Sequence, residues 1–129
     1  MFELTINGEV YQFKFGIGFV REMNRAAQIP VPGIPGASQE VGFALVVTKI
    51  LDGDVVALAD ALEIANKGFK PRATRGLIEE YIDDESTDID ELFSTATDFL
   101  ERANATKQIT KKMREALEEA TKEEPEKTE

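Results

Sequence analysis

The sequence predicts an α+β fold, in which an N-terminal antiparallel β-hairpin packs on a bundle of about five to six helices. Three observations lead to this prediction. Apolar and polar residues alternate on both sides of an Asn-Gly pair near the N-terminus, apolar residues then recur at helical spacing between turn signals, and hydrophobic side chains are lacking from residue 122 onwards. We therefore expect one domain over residues 1–121 and a disordered acidic tail over residues 122–129.

The hairpin is predicted by the turn and by the alternation together. Asn7 and Gly8 both tolerate the positive φ that the two central positions of a type I′ turn require. A two-residue loop at this place sets Phe2 opposite Phe13. Because side chains alternate between the two faces of a strand, one face then carries the apolar residues Phe2, Leu4, Ile6, Tyr11, Phe13 and Phe15.

A first helix and a connector rich in proline and glycine follow the hairpin. Apolar residues at helical spacing predict a helix from Ile17 to about Ala27. Residues 28–37, QIPVPGIPGA, cannot continue this helix, because proline lacks the backbone donor and glycine favours turns. We predict that this segment is an irregular connector and that Ser38 is the N-cap of the next helix.

The second and third helices are predicted to form the centre of the bundle. The segment that ends near Leu51 is apolar nearly all round, which indicates a buried helix. The β-branched residues at 46–48 leave a strand as the alternative. Asp54 is the expected N-cap of a third helix from Val55 to Asn66, whose predicted inner face comprises Val55, Leu58, Leu62 and Ala65.

Three further amphipathic helices complete the predicted fold. Thr74 can cap a fourth helix, and Asp88 with Glu91 resembles the capping box of a fifth. A sixth helix is joined to the fifth near Asn104. The predicted inner faces of these helices are Leu77, Ile78, Tyr81 and Ile82, then Leu92, Phe93, Ala96, Phe99, Leu100 and Ala103, and finally Ile109, Met113, Ala116, Leu117 and Ala120.

The N-terminal segment resembles that of a known protein family. Residues 2–16 read FELTINGEVYQFKFG, and FVREMN follows at residues 19–24. This combination is similar to the tail assembly chaperones of siphophages and prophages of Gram-positive bacteria. The similarity continues more loosely through LDGDVVALADALEIANKG at 51–68 and IEEYIDDESTDIDELF at 78–93, and it covers residues 1–117.

The resemblance implies a binding function without catalysis. Members of the family resemble small α+β domains that bind the tail tape measure protein transiently, keep it soluble and promote assembly of the tail tube. They do not remain in the mature virion. The resemblance also implies the tail tube protein and a longer, frameshifted form of the chain itself as further partners.

Composition limits the chemistry that the chain can perform. It contains no Cys and no His, so thiolate chemistry is excluded and the commonest general base near neutral pH is missing. We expect no catalytic residues, no cofactor and no bound metal. The net charge of −10 disfavours nucleic acid as a partner, because lysine and arginine supply most of the affinity for phosphates. No membrane span or signal-peptide pattern is present, so we expect no membrane partner and a location in the host bacterial cytoplasm.

Two charged stretches are interpreted as structural. The acidic residues of 79–91 do not match an EF-hand loop, because the sixth position of the candidate loops is not glycine. We expect them to form a helix end, a linker and a helix start. The basic residues of 107–114 are expected to form charge pairs within their own helix, such as Arg114 with Glu118.

The proline-rich connector is the candidate partner-binding site. Ile29, Val31 and Ile34 are apolar residues on a segment that should lie at the surface. Extended, proline-rich chain loses little conformational entropy on docking. The alternative is that these residues fold back and cover the core. The N-terminal hairpin is a second candidate, because the open edges of a two-stranded sheet can pair with another chain, including a second copy.

Three functions are consistent with these features. The first is a tail assembly chaperone, as the resemblance implies, with apolar grooves between helices and an acidic surface. The second is a structural phage protein, such as a head–tail joining component, which would remain in the virion. The third is an acidic inhibitor or DNA mimic. An enzyme is disfavoured, since no nucleophile or metal-ligand constellation is recognisable.

Overall fold

The computed structural model describes residues 1–123 of the chain. The predicted α+β fold is confirmed: within that range, the N-terminal antiparallel hairpin accompanies six helices, and a second, short hairpin stands between the first two of them. In chain order, the elements are β1 (Phe2–Ile6), β2 (Glu9–Phe13), α1 (Ile17–Asn24), β3 (Gln28–Pro30), β4 (Ser38–Glu40), α2 (Gly42–Leu51), α3 (Val55–Ala65), α4 (Arg75–Asp83), α5 (Ile89–Arg102) and α6 (Lys107–Glu123). The predicted tail, 122–129, begins with the last two residues of α6 and otherwise lies outside the described residues.

The predicted register of the first hairpin is confirmed. Asn7 has a φ of 52° and Gly8 a φ of 83°, both in the left-handed region that a type I′ turn requires. The antiparallel ladder pairs Phe2 with Phe13, Leu4 with Tyr11 and Ile6 with Glu9. The turn and the hydrophobic pattern therefore select the same register.

The apolar face of this hairpin lies on the helices. Phe13 is fully buried, Phe2 and Tyr11 are nearly so, and Leu4 is half-buried. The ring centroid of Phe2 lies 5.2 Å from that of Phe13 and 5.0 Å from that of Phe99 in α5. Aromatic contacts thus join the N-terminal hairpin to a helix from the other end of the chain.

A buried asparagine fastens the hairpin to the end of α3. Asn66 is fully buried, and its Nδ2 donates to the carbonyl of Gln12 at 2.9 Å. Its Oδ1 accepts from the backbone N–H of Ala73 at 2.5 Å and from the guanidinium of Arg72 at 2.7 Å. Since a buried amide must find partners for both ends, these bonds fix β2, α3 and the segment before α4 relative to one another.

The central helix is α2, as predicted. It contacts α1, α3, α5 and α6, and its residues Phe43, Val47 and Ile50 are at most 2% exposed. The strand alternative for residues 46–48 is wrong, because these residues lie inside the helix. Burial against several neighbouring helices outweighs the β-propensity of two valines and a threonine.

Three predicted N-caps are confirmed. At Asp54, Thr74 and Asp88, a side-chain oxygen accepts a hydrogen bond from a backbone N–H of the first helical turn, at 2.9, 3.2 and 3.0 Å, respectively. Each bond satisfies a donor that the helix itself cannot satisfy. The starts of α3, α4 and α5 are therefore specified locally.

The predicted inner faces of the helices are confirmed in part. The predicted inner position of Val55 is wrong, because this side chain is 41% exposed in the first turn of α3. Ala116 and Ala120 are also exposed, because burial of α6 decreases toward its C-terminal end. The inner faces of α4 and α5 are formed mainly by the buried residues Ile78, Leu92, Ala96 and Leu100.

The segment predicted as an irregular connector is a second hairpin. β3 and β4 pair Gln28 with Glu40, Ile29 with Gln39 and Pro30 with Ser38. Two boundary predictions are therefore wrong: α1 ends at Asn24 rather than Ala27, and Ser38 lies in β4 instead of capping α2, which begins at Gly42. Proline is tolerated here, because both strands of a two-stranded ribbon are edge strands. This hairpin, residues 28–40, is called the arm.

Candidate partner-binding site

The tip of the arm consists of two consecutive turns. Ile34 N–H donates to the carbonyl of Val31, and Ala37 N–H donates to the carbonyl of Ile34, each at 3.2 Å. Each turn has proline at its second position and glycine at its third, where Gly33 has a φ of 81° and Gly36 a φ of 82°. These are the features of type II turns. The repeated Pro-Gly pair therefore encodes the tip, and it is the signal by which the sequence could have indicated a hairpin.

Hydrogen bonds close the base of the arm and join α1 to α2 beside it. Val41 N–H donates to the carbonyl of Ala27 at 2.9 Å, where the two strands leave the domain. Phe43 N–H, in the first turn of α2, donates to Oδ1 of Asn24 at 3.0 Å. The Asn24 side chain thus satisfies a donor at the start of α2 and ties that start to the end of α1.

A glycine is required where the arm joins α2. A Cβ atom added at Gly42 would lie 1.9 Å from the carbonyl oxygen of Met23. The close approach of two backbone segments, rather than an unusual φ, is what requires glycine at this position. The junction between the arm, α1 and α2 therefore tolerates no side chain.

The three predicted partner-binding residues all lie on the arm. Ile29 is 46% exposed and Ile34 is 56% exposed, while Val31 is half-buried. No residue from 28 to 40 is buried, so the arm does not cover the core. That alternative interpretation is wrong, and the binding role of the three residues stays a prediction.

A pocket with a mainly apolar lining, to which Lys49, Asp54 and Asp60 also contribute, lies beside the base of the arm. It has a volume of about 200 Å³, and its lining includes Met23, Ala27, Leu45 and Val56 from α1, α2, α3 and the chain between α1 and the arm. Leu45 is 48% exposed and Val56 is 60% exposed. We call it the arm-base pocket. Leu45 and Val56 thus share one pocket, and together with Ile29 and Ile34 of the arm they are large apolar side chains that face solvent.

Sequence reasoning missed Leu45 and Val56. The nearly continuous apolar sequence of α2 hides its exposed position, because Leu45 does not differ in type from its buried neighbours. One signal was present: Leu45 precedes Lys49 by one helical turn, so the two residues share a face, and lysine rarely lies in a core. Lys49 is exposed, as this argument requires.

A larger cleft lies at the N-terminal end of α1. It has a volume of about 930 Å³, and its lining includes Phe2, Phe15, Ile17, Phe69 and Phe99. Ile17, in the first turn of α1, is 67% exposed. We call it the aromatic cleft. The aromatic cleft and the arm-base pocket adjoin opposite ends of α1, a helix of 8 residues that is roughly 12 Å long.

The acidic residues of 79–91 partly serve the local structure. Oδ1 of Asp84 accepts from the backbone N–H of Ser86 at 2.9 Å and from its hydroxyl at 2.8 Å. These bonds lower the pKa of the Asp84 carboxyl, and Asp88 caps α5. Within residues 1–123, no three or more His, Cys, Asp or Glu side chains are arranged to hold a metal ion. No helix in that range is long and apolar enough to cross a bilayer.

One basic residue joins two helices. Nη2 of Arg114 in α6 lies 2.5 Å from Oε2 of Glu101 in α5. The predicted pair of Arg114 with Glu118 within α6 is thus replaced by a pair between helices. The reason is that α5 and α6 pack side by side, which sequence periodicity alone does not show.

Comparison with known proteins identifies a family. A family model described as "Phage tail assembly chaperone protein, TAC" matches residues 3–115. The matched range includes almost all of the N-terminal hairpin, the whole arm, the helices α1 to α5 and the beginning of α6. No curated protein and no solved structure gives a significant match.

Proposed function

Because the chain belongs to the phage tail assembly chaperone family, we propose that it binds the tail tape measure protein of its phage. In this proposal it acts in the host bacterial cytoplasm, keeps the tape measure protein soluble and promotes assembly of the tail tube. It leaves before the virion is complete. The tail tube protein and a longer, frameshifted form of the chain are further partners within the same proposal, and no catalytic step is part of it.

The observation that carries the proposal is the exposed apolar surface around the arm. Ile34, Leu45 and Val56 are 56%, 48% and 60% exposed, respectively, and they lie on the arm and beside its base. Clustered apolar side chains at a surface favour binding of another protein. The Pro-Gly turns hold the tip in one conformation, so little entropy is lost when a partner binds.

A small site of this kind suits reversible binding to a long client. The arm and the arm-base pocket offer a few apolar side chains, which predicts modest affinity for one contact. Many copies bound along one tape measure protein would still give high total occupancy. The net charge of −10 would keep the coated client from associating with other coated clients.

Replacing Ile29, Val31 and Ile34 together by serine is expected to weaken capture of the tape measure protein while leaving thermal stability nearly unchanged. The three side chains contribute little to the core, since none of them is buried. Capture is measured by co-purification from cells that express both proteins, and stability by thermal unfolding.

The control for this experiment is Val10→Ser. Val10 is 47% exposed, but it lies on the outer face of the N-terminal hairpin and belongs to neither the arm nor the arm-base pocket. This variant should capture the client as well as the unmodified protein does. The proposed role of the arm would be contradicted if the arm variant captured the client as well as the unmodified protein does. A large loss of thermal stability in the arm variant would also contradict it.

Purified virions are expected to contain none of this protein. Co-expressed with the tape measure protein of its phage, the chain should keep that protein soluble and co-purify with it in several copies. Quantitative mass spectrometry of virions and of the co-purified complex checks both expectations. If virions contained this protein at the stoichiometry of a structural component, the alternative function of a head–tail joining protein would be favoured instead.

A further inference from the structure

A cleft with exposed carboxylates lies between β1 and the helices α4 and α5, and we call it the acidic cleft. Its volume is about 640 Å³. Its buried and half-buried lining residues are mostly apolar, namely Leu4, Ile6, Leu77, Tyr81 and Leu92, and the half-buried Thr87 and Thr95 are the polar exceptions. Its exposed lining residues include the carboxylates of Glu3, Glu80, Asp84, Asp88 and Glu91, and neither lysine nor arginine contributes to the lining.

One wall of the acidic cleft is the unpaired edge of β1. Backbone groups along an antiparallel strand point alternately toward and away from the partner strand. Gln12 lies opposite Glu3, and its carbonyl points away from β1 and accepts a hydrogen bond from Asn66. The backbone groups of Glu3 and Thr5 therefore point away from β2. No backbone hydrogen bond joins them to another part of residues 1–123.

The two edges of this hairpin thus differ in whether their backbone groups have hydrogen-bond partners. The edge of β2 is covered, because Asn66 bonds to the carbonyl of Gln12 and the N–H of Lys14, just beyond the strand, donates to the carbonyl of Ala65 at 2.9 Å. The edge of β1 lines a cleft instead. Unpaired strand edges accept additional strands.

We propose that the acidic cleft binds an extended, basic segment of a partner protein, which pairs with β1 as a third strand. Its backbone bonds to the outward groups of Glu3 and Thr5. Apolar side chains on one face of the segment contact the apolar lining, and its lysine or arginine side chains meet the exposed carboxylates of Glu3, Glu80 and Glu91. Charge then gives specificity, and the main-chain hydrogen bonds give affinity.

Other occupants fit this cleft less well. An acidic segment would be repelled by the exposed carboxylates, one of which, Glu91, adds to the effect of burial in raising the pKa of Tyr81. A second copy of the chain offers the exposed lysines of α6, Lys107, Lys111 and Lys112. These lie in a helix, which cannot add a strand to β1.

The test uses the full chain and a short fluorescent peptide in which lysine alternates with valine. Binding is measured by fluorescence anisotropy, and we expect it to weaken as salt rises from about 0.05 to 0.3 M, because exposed charges are then screened. Replacing Glu3, Glu80 and Glu91 by glutamine should weaken binding about tenfold, as the loss of three exposed charge pairs usually does. Asp84 and Asp88 are kept, since they hold the turn and the start of α5.

A matched control removes the same charge elsewhere. The variant Glu115→Gln, Glu118→Gln, Glu119→Gln changes three exposed carboxylates of α6 and should bind the peptide as the unmodified protein does. A peptide in which every backbone nitrogen is methylated should not bind, because it lacks the donors that pair with the edge of β1. In the NMR spectrum, the amide signals of residues 3–6 should shift when the unmethylated peptide binds.

Three results would overturn the proposal. They are equal binding by the two glutamine variants, equal binding of the methylated peptide, and a salt-dependent dimer that is lost when Lys107, Lys111 and Lys112 are replaced by serine. The arm is not part of the acidic cleft, so these results would leave the proposed function untouched. Conversely, if the arm variant still captured the client, the proposed role of the arm would fail and the acidic cleft would stay the proposed binding site.

Discussion

Replacing Phe13 by alanine is expected to lower the free energy of unfolding by roughly 3–5 kcal/mol. The side chain is fully buried, its ring stacks on that of Phe2 with centroids 5.2 Å apart, and Phe2 in turn contacts α5. Truncation therefore leaves a cavity between the N-terminal hairpin and the helices. Denaturant-induced unfolding followed by circular dichroism measures the loss.

The matched control for this substitution is Val10→Ala on the same strand. Val10 is 47% exposed on the opposite face of the hairpin, so its truncation should change the free energy of unfolding only slightly. If both variants unfolded at the same denaturant concentration as the unmodified protein, the hairpin would not be part of the core. The packing of the hairpin on the helices would then be disproved.

Gly42→Ala is expected to have the second largest effect, at or beyond the upper end of the roughly 1–3 kcal/mol that overpacking usually costs. The new Cβ would lie 1.9 Å from the carbonyl oxygen of Met23, and a backbone carbonyl cannot move aside as a flexible side chain does. Relief requires α1 and α2 to separate, which would also shift the base of the arm. Thermal unfolding and client capture should therefore both be impaired.

The same substitution at Gly76 provides the control. Gly76 lies inside α4, and a Cβ built there meets no atom within 4 Å. Alanine at this position, the second of α4, should leave stability unchanged or raise it by up to about 1 kcal/mol, because alanine favours helix more than glycine does and the full effect applies to helix interiors. Equal stability of the Gly42→Ala and Gly76→Ala variants would show that the junction between α1 and α2 relaxes without cost.

Elements with local signals could be predicted from the sequence. The first hairpin is specified by its turn and by alternation, and Asp54, Thr74 and Asp88 mark the starts of three helices through side chains that bond within one turn. In each case the residues that decide the structure are neighbours in the chain. No knowledge of the tertiary fold is needed to interpret them.

Features that depend on distant contacts could not be predicted. At the start of α2, Gly42 approaches Met23, nineteen residues earlier, whereas the sequence around Ser38 alone suggests an earlier cap. Asn66 reads as a helix end, yet it also holds Gln12 of the N-terminal hairpin. Neither pairing leaves a pattern in the sequence.

The candidate site was predicted in part for the same reason. Ile29, Val31 and Ile34 stand on a segment that composition marks as a surface loop, so their location could be inferred locally. Leu45 and Val56 belong to apolar helices, and their exposure depends on which side of each helix the bundle leaves uncovered. Of the acidic cleft, the sequence predicts only the open edge of the hairpin. It does not predict that α4, α5 and the chain between them supply most of the carboxylates beside that edge.

The arm has a consequence for how such a protein can change over time. Residues 28–40 include no buried side chain, and their two Pro-Gly turns close the tip without help from the core. Insertions, deletions and substitutions between β3 and β4 should therefore alter reach and client preference with little penalty in stability. Among chaperones adapted to different tails, we expect the arm to diverge in length and composition while the hairpin and the helices stay the same.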